Sequence, residues 1–535
     1  MRDDDLQLDG PSRRDVLAGA GASALAFSAP AFAHPETAAT GFVFEDRSGT
    51  GVRKPSDRGI ANVMVSNGRA VVTTAPDGSW RLPLAAGDSA FVIKPPHWAM
   101  PIGAGGVPQF SYLHHPDGTP ARLNVRHAGV APTGALPQSI DFGLIRADEK
   151  SQFEALLITD TQPQTHQELD YLRDDIIAGL IGRGAAFGIN HGDVMFDDLS
   201  LYPRYLRLMG LTGIPWHHCL GNHDLNPEAE DDRYSRETWK RIFGPRHYAF
   251  QYASATFIVL DNVHYLGRGG YRGRFGEMQL QFVRNVLANI PADQLVVLSM
   301  HIPLLNATNP LDPAETTADR RALLALLSGR PHSVSFSGHM HTTEHHYLGS
   351  EHGFTRAQPH HHHVLTAASG AWWSGPLDRR GIPSADSADG TPNGFHVLSV
   401  DGNAYTTTFI PAAEKTSAPH RVLVSKSTSH PELIVNVFDG GPRTRVSYTI
   451  GRDVAPMAMA REPTADPYII DLFKQSRRKP WVEPVVSSHL WRTLLPALPS
   501  GAHDITVRIS DEYGREHVSR LVLESDPAGH PARPA

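Results

Sequence analysis

The spacing of apolar positions changes character along the chain. From Gly41 to about Asp141 they fall in short runs, Val63-Met64-Val65, Ala70-Val71-Val72 and Ala90-Phe91-Val92-Ile93, separated by turn pairs such as Asn67-Gly68 and Asp77-Gly78. That pattern predicts strands and an all-β sandwich. From about Ser151 to Pro411 apolar runs alternate with helical spacing. Ala155-Leu156-Leu157-Ile158 predicts a strand, after which Leu169, Leu172, Ile176, Ile177 and Leu180 recur with the period of a helix. Phe257-Ile258-Val259-Leu260, Leu295-Val296-Val297-Leu298 and Val334-Ser335-Phe336 predict further strands, with helices over Met278 to Leu287 and Arg320 to Leu327. Such alternation predicts an α/β domain around a largely buried sheet. From about Ser417 to Glu524 strands return, as in Leu433-Ile434-Val435-Asn436-Val437 and Asp504-Ile505-Thr506-Val507-Arg508-Ile509, and predict a second sandwich.

The first residues follow a different logic. Arg13-Arg14 precede an Ala/Gly-rich run from Leu17 to Phe27, and Ala31-Phe32-Ala33 is a small-x-small cleavage site. Paired arginines before a short, weakly hydrophobic run resemble a twin-arginine signal, so export to the periplasm or beyond by that machinery is expected. The expected organisation is a signal peptide over 1–33, an N-terminal sandwich over 41–145, an α/β domain over 150–412, a C-terminal sandwich over 417–525 and a disordered Pro/Ala-rich tail over 526–535.

Composition narrows the chemistry. The 535 residues carry a formal net charge of −7, which argues against nucleic-acid binding by bulk charge. No run of apolar residues reaches the ~18 needed for a membrane span. Cys219 is the one cysteine, so an intrachain disulfide is impossible and metal ligands must come from His, carboxylate and amide groups.

Five short motifs lie in or near loops that follow predicted strands: Asp160-Thr161-Gln162, Gly192-Asp193, Gly221-Asn222-His223-Asp224, His301 and Gly338-His339-Met340-His341. Loops at the carboxyl ends of strands are where open α/β sheets collect ligands. Two divalent ions ~3.5–4 Å apart need a bridging carboxylate with hard oxygen and imidazole donors around each. Seven donors spread over these loops suffice for such a pair. With Asp160 and Asp193 as its carboxylates, the site stays positive and suits a phosphate ester.

The order D-x-Q, G-D, G-N-H-D, H, G-H-x-H resembles the calcineurin-like metallophosphoesterases over roughly Phe153 to Thr408, and the flanking sandwiches resemble a three-domain bacterial branch of that superfamily. The resemblance implies a domain of β-sheet layers flanked by helices. It implies one metal ion on Asp160, Gln162, Asp193 and His341, and a second on Asn222, His301 and His339, with Asp193 bridging. It implies hydrolysis by a metal-bound hydroxide, with His223 as proton donor to the leaving group. Gln162 departs from the histidine common at that position. Its amide oxygen would harden the site and favour manganese or iron over zinc.

The candidate substrate contacts are Trp372 and Trp373, which either stack on a substrate group or fill the seam between domains, Arg272, which either clamps a phosphate or lies in a solvated loop, and His361. The last belongs to a run, His360 to His363, whose alternate rings would face opposite sides of a strand. Asp197 is read as support for a metal ligand or as a helix N-cap, and His217 and His218 as packing residues. The expected activity is hydrolysis of a phosphate ester, with diesters slightly favoured because the motifs carry no Lys or Arg. The alternative is an envelope protein binding glycan or lipid through its sandwiches around a vestigial central domain.

Overall fold

The structure, a computed structural model, describes residues 37–412, 418–425, 430–452, 454–475 and 479–525. The predicted export segment and the predicted disordered tail lie outside the described residues.

The first sandwich has two four-stranded sheets. One runs Ser79–Leu84, Thr37–Glu45, Phe142–Arg146, Trp98–Ala99, and the other Val71–Thr73, Met64–Ser66, Ser89–Ile93, Ser111–Leu113. Its apolar core continues into the next domain, where Phe91 meets Phe282 edge-on at 5.8 Å. Polar contacts pin the same seam. Lys94 Nζ donates to Glu149 Oε1 and to the Gln251 carbonyl, at 2.5 and 2.6 Å, with the Lys94 and Glu149 side chains almost wholly buried.

The alternating middle segment forms two sheets, the layers the family resemblance implies, where apolar alternation alone suggested one. The first has five strands in the order Trp216–His218, Phe187–Asn190, Gln152–Ile158, Gly394–Asp401, Ala404–Pro411. The second has six, in the order Tyr248–Tyr252, Ala255–Val259, Leu295–Ser299, Ser333–Ser337, His360–Val364, Glu344–Leu348. Each combines a parallel core with antiparallel strands at its margin. Phe153 and Phe187 of the first sheet meet Phe257 of the second at 6.3 and 5.0 Å, which fills the space between the layers. Helices cover the outer faces. Gly276–Ala288 and Arg320–Leu327 pack on the six-stranded sheet, and His166–Leu172 continues through Leu180 against the five-stranded one. All five apolar residues that predicted this last helix are buried.

The C-terminal strands also form two four-stranded sheets, built around Glu432–Val437 and Gly501–Ser510, with Leu433, Val435, Trp491 and Val507 between them. The helix Pro467–Gln475 leaves this sandwich to pack Ile469 and Phe473 beside Ala371 of the central domain. No helix among the described residues is long and apolar enough to cross a membrane.

Candidate metal centre

The loops that follow the parallel strands converge. Asp160 lies two residues beyond Gln152–Ile158, Asp193 three beyond Phe187–Asn190, and His301 and His339 two beyond their strands. This crowding needs unusual backbone. Asp160, Gln162, Asp193, Asp197, His339, His341, Trp372 and Trp373 all have positive φ, between 35° and 74°. Left-handed conformations in non-glycine residues are costly and gather at functional sites. Two motif glycines allow the loops to meet. A Cβ on Gly221 would lie 2.1 Å from Asp193 Oδ1, and one on Gly338 would lie 2.3 Å from Asp160 Oδ2.

Asp193 is central. Its Oδ1 accepts the His223 backbone N–H at 2.9 Å and lies 3.3 Å from His301 Nε2. His301 Nε2 is also 3.1 Å from Asn222 Oδ1 and 3.2 Å from His339 Nδ1. Metal–nitrogen bonds of about 2.0–2.1 Å in a tetrahedral site put two ligand atoms about 3.3 Å apart. The spacings around His301 therefore fit four donors to one ion. Asp160 and His341 form the neighbouring half, with His341 Nε2 3.6 Å from Asp160 Oδ1.

Hydrogen bonds behind the ligands aim them. His301 Nδ1 donates to the His191 carbonyl and His341 Nδ1 to the Gly370 carbonyl, so each Nε2 faces inward. Asp160 is held by Thr159 Oγ1 and by the His339 N–H. The electrostatics favour a cation. Burial raises Asp193, but His301 and His223 outweigh it and hold the carboxyl below the usual range. Burial also opposes a charged His301, yet Asp193 pushes it up to about 9. His339 is pushed down to about 3 by burial and by His301, which keeps its ring neutral. The donor set, one carboxylate shared with amide oxygen and imidazoles, fits divalent metal.

Gln162 lies among the expected ligands and makes two hydrogen bonds there. Its Oε1 accepts the indole N–H of Trp372 and keeps a second lone pair. Its amide nitrogen donates to Asp193 Oδ2 at 2.6 Å. Trp372, which stacks on His341 at 4.0 Å, lies 210 residues on in sequence.

His223 is paired with Asp197, not with its sequence neighbour. Nδ1 lies 2.8 Å from Asp197 Oδ1, and the ring stacks on Phe196 at 4.4 Å. Asp198, not Asp197, caps the next helical turn. Asp224 takes the N–H groups of Gly221, Val194 and Met195 and the Tyr202 hydroxyl, so it ties two loops together.

The expected substrate residues separate. Trp372 lies at the centre, against His341 and Trp481. Trp373 is buried in the core beside Tyr171. Arg272 sits in the hairpin strand Gly270–Gly273 next to Tyr271, whose ring meets His339 at 6.0 Å, and pleat alternation turns Arg272 to the other side. His361 is buried among His345, Tyr347 and Tyr405, so it offers nothing to a substrate at the centre. His217 stacks on Phe250 at 3.7 Å, and His218 is buried against Phe243. Tyr271 and Trp481 carried no sequence signal of their own, since neither belongs to a motif.

Two family models match the chain. Residues 154–343 match the calcineurin-like phosphoesterase model, and residues 362–517 match the C-terminal domain of calcineurin-like phosphoesterase. The second match begins inside the strand His360–Val364 of the central sheet. Among curated proteins none matches. A solved purple acid phosphatase from yellow lupin (Lupinus luteus) seeds is similar over 71% of this chain and 68% of its own, at 12% identity and a TM-score of 0.36. Together the two family matches span more than half of the sequence, and they place the chain in the calcineurin-like phosphoesterase family as a metal-dependent phosphoric ester hydrolase.

Proposed function

We propose that this hydrolase cleaves phosphate esters at a two-metal centre, prefers diesters and works after export. The observation that carries the reading is the convergence of Asp193, Asn222 and His339 on His301 Nε2, with the His223–Asp197 pair beside it. Asp160, Asp193 and His341 would hold one ion, and Asp193, Asn222, His301 and His339 the other. Gln162 would keep the shared carboxylate aimed. Bound ions of this kind polarise the phosphoryl oxygens and ready water for attack. The oxygen-rich first position suits manganese or iron, and the nitrogen-richer second also accepts zinc.

His223 supplies a proton in this account. Burial disfavours its charge, but Asp193 and Asp197 outweigh that and push it up to about 9. In this reading Nε2 gives its proton to the leaving oxygen while Nδ1 is committed to Asp197. Phe196, Trp372 and Trp481 form an aromatic wall beside it, which suits an ester with a flat or apolar group.

The preference for diesters follows from charge. A monoester dianion wants fixed cations, yet no described Lys or Arg pairs with Asp160, Asp193 or Asp197. Comparing kcat/KM on aryl phosphodiesters and monoesters tests this, and higher efficiency on monoesters would reverse it. Export by the twin-arginine route rests on Arg13 and Arg14 alone. Changing both to Lys should leave unprocessed protein in the cytoplasm, and normal processing would refute the route.

A further inference from the structure

The sequence run His360 to His363 is not used at the centre, yet the structure builds a second histidine site from it. These residues form the strand His360–Val364, and all four rings are buried. His360 and His362 face Ser333, Ser335 and Ser337. His361 and His363 face the other way. There His363 lies directly opposite His345 of the antiparallel strand Glu344–Leu348, so both rings rise from the same face and stack at 4.0 Å.

Asp439, beyond the strand Glu432–Val437 of the C-terminal sandwich, reaches into this face. Its Oδ1 is 3.0 Å from His363 Nε2 and 3.3 Å from His345 Nε2. A third imidazole, His396 of the five-stranded sheet, brings Nε2 to 3.3 Å from the same oxygen. The three histidine side chains have no exposure, and Asp439 keeps 13%.

Hydrogen bonding alone serves this cluster poorly. One carboxylate oxygen has two lone pairs, and three ring nitrogens aim at it. Nδ1 of His363 and of His396 has no hydrogen-bond partner among the described residues, so each ring is held by Nε2 alone. Behind His345, a relay runs from Nδ1 to His361 Nε2, at 2.9 Å, and from His361 Nδ1 to the Tyr405 hydroxyl, at 2.8 Å. The relay can donate in either direction, and in the outward tautomer His345 Nε2 is left with a lone pair pointing at Asp439. Two such groups at 3.3 Å repel unless a cation lies between them. An outward relay behind a ring is also the usual support for a ligating histidine.

The ligand atoms of His345, His363 and Asp439 all lie within 4.8 Å of one another. Their spacings to Asp439 match the roughly 3.3 Å between ligand atoms of a tetrahedral zinc site. We propose that His345, His363 and Asp439 bind a further divalent transition-metal ion of zinc type, which fastens the C-terminal sandwich to the six-stranded sheet. His396 acts as a positioning residue, donating Nε2–H to the carboxylate. The partly exposed side of Asp439 is the entry path, and water completes the coordination. The consequence reaches the catalytic centre, because Trp481 of the C-terminal region stands against Trp372 and Phe196.

The test uses full-length Asp193→Asn protein, stripped with chelator, loaded with zinc and desalted, beside the double variant Asp193→Asn/Asp439→Asn treated identically. Elemental analysis should find about one more zinc per chain in the single variant, and added zinc should raise its Tm more than that of the double variant. Because the readout is a difference, it holds whether or not Asp193→Asn empties the catalytic centre. Equal zinc content in two folded proteins overturns the proposal. Should the double variant fail to fold, anomalous scattering at the zinc edge from crystals of the single variant decides. A peak among His345 Nε2, His363 Nε2 and Asp439 supports the site, and no peak there overturns it.

Discussion

His223 Nδ1 lies 2.8 Å from Asp197 Oδ1, and this pair, not the adjacent Asp224, sets the orientation of a partly exposed motif histidine. Asp197 also helps to raise His223. An acid works while protonated, so the rate should fall as pH rises through the His223 value. Asp197→Asn removes one source of the upward shift and should move that alkaline limb to lower pH. Its loss on alkyl esters should reach about 10-fold or more, a part of the ~10²–10⁴-fold that general acid catalysis supplies. Nitrophenyl esters, whose leaving groups need no proton, should lose less. An unmoved alkaline limb in the pH–rate profile would exclude the pair from proton transfer.

Gln162 offers a sharper contrast. If it orients Asp193 and does not ligate, Gln162→Leu should keep both metals while slowing turnover by about 10- to 100-fold, the usual range for groups that support metal ligands. Loss of one metal equivalent on elemental analysis would restore its oxygen to the ligand set.

Trp481 is partly exposed and meets Phe196 and Trp372. Trp481→Ala should therefore leave the fold intact. KM should rise for esters bearing an aromatic group, by about the 2- to 10-fold that an aromatic pair worth ~0.5–1.5 kcal/mol provides. Steady-state kinetics on an aryl and a small alkyl ester would check this, and equal effects on the two would remove Trp481 from substrate contact.

Away from the centre, Glu237 anchors the N-terminal sandwich. Its Oε2 lies 2.9 Å from His115 Nε2 and accepts from Thr119 Oγ1. Burial raises Glu237, but His115 and Lys240 outweigh it and bring it down to about 2. A carboxyl depressed in the folded state stabilises fully above its unfolded value, about 4.3, and loses that contribution as pH falls towards 2. Acid should therefore loosen this seam between about pH 4.3 and 2. Glu237→Gln should flatten the dependence of Tm on pH in that window, and an unchanged slope would mean the pair contributes nothing.

What the sequence revealed depended on distance along the chain. The residues that converge on the candidate centre were legible because each motif is local: a strand, a tight turn and one or two donors at fixed spacing, as in Gly338-His339-Met340-His341. The hydrogen-bond partners of Gln162 and Asp197 were not, because each lies outside its motif, Trp372 in one case and His223 in the other. The alternation of rings along His360 to His363 was readable from the period of a strand. Their burial was not, because it depends on Tyr405 and Asp439 reaching the same face. Apolar runs announced the central strands correctly. Their division into two layers depends on contacts such as Phe187 with Phe257, which periodicity does not encode.

The account stands most directly on Asp193, the carboxylate proposed to be shared between two ions. Metal content and kcat should be measured together on Asp193→Asn protein whose circular dichroism matches the parent. The account predicts that metal bound at the catalytic centre falls and that turnover of phosphate esters drops by about 10³-fold or more, since both ions act on one phosphoryl group. Unchanged metal content together with turnover close to that of the parent would contradict it.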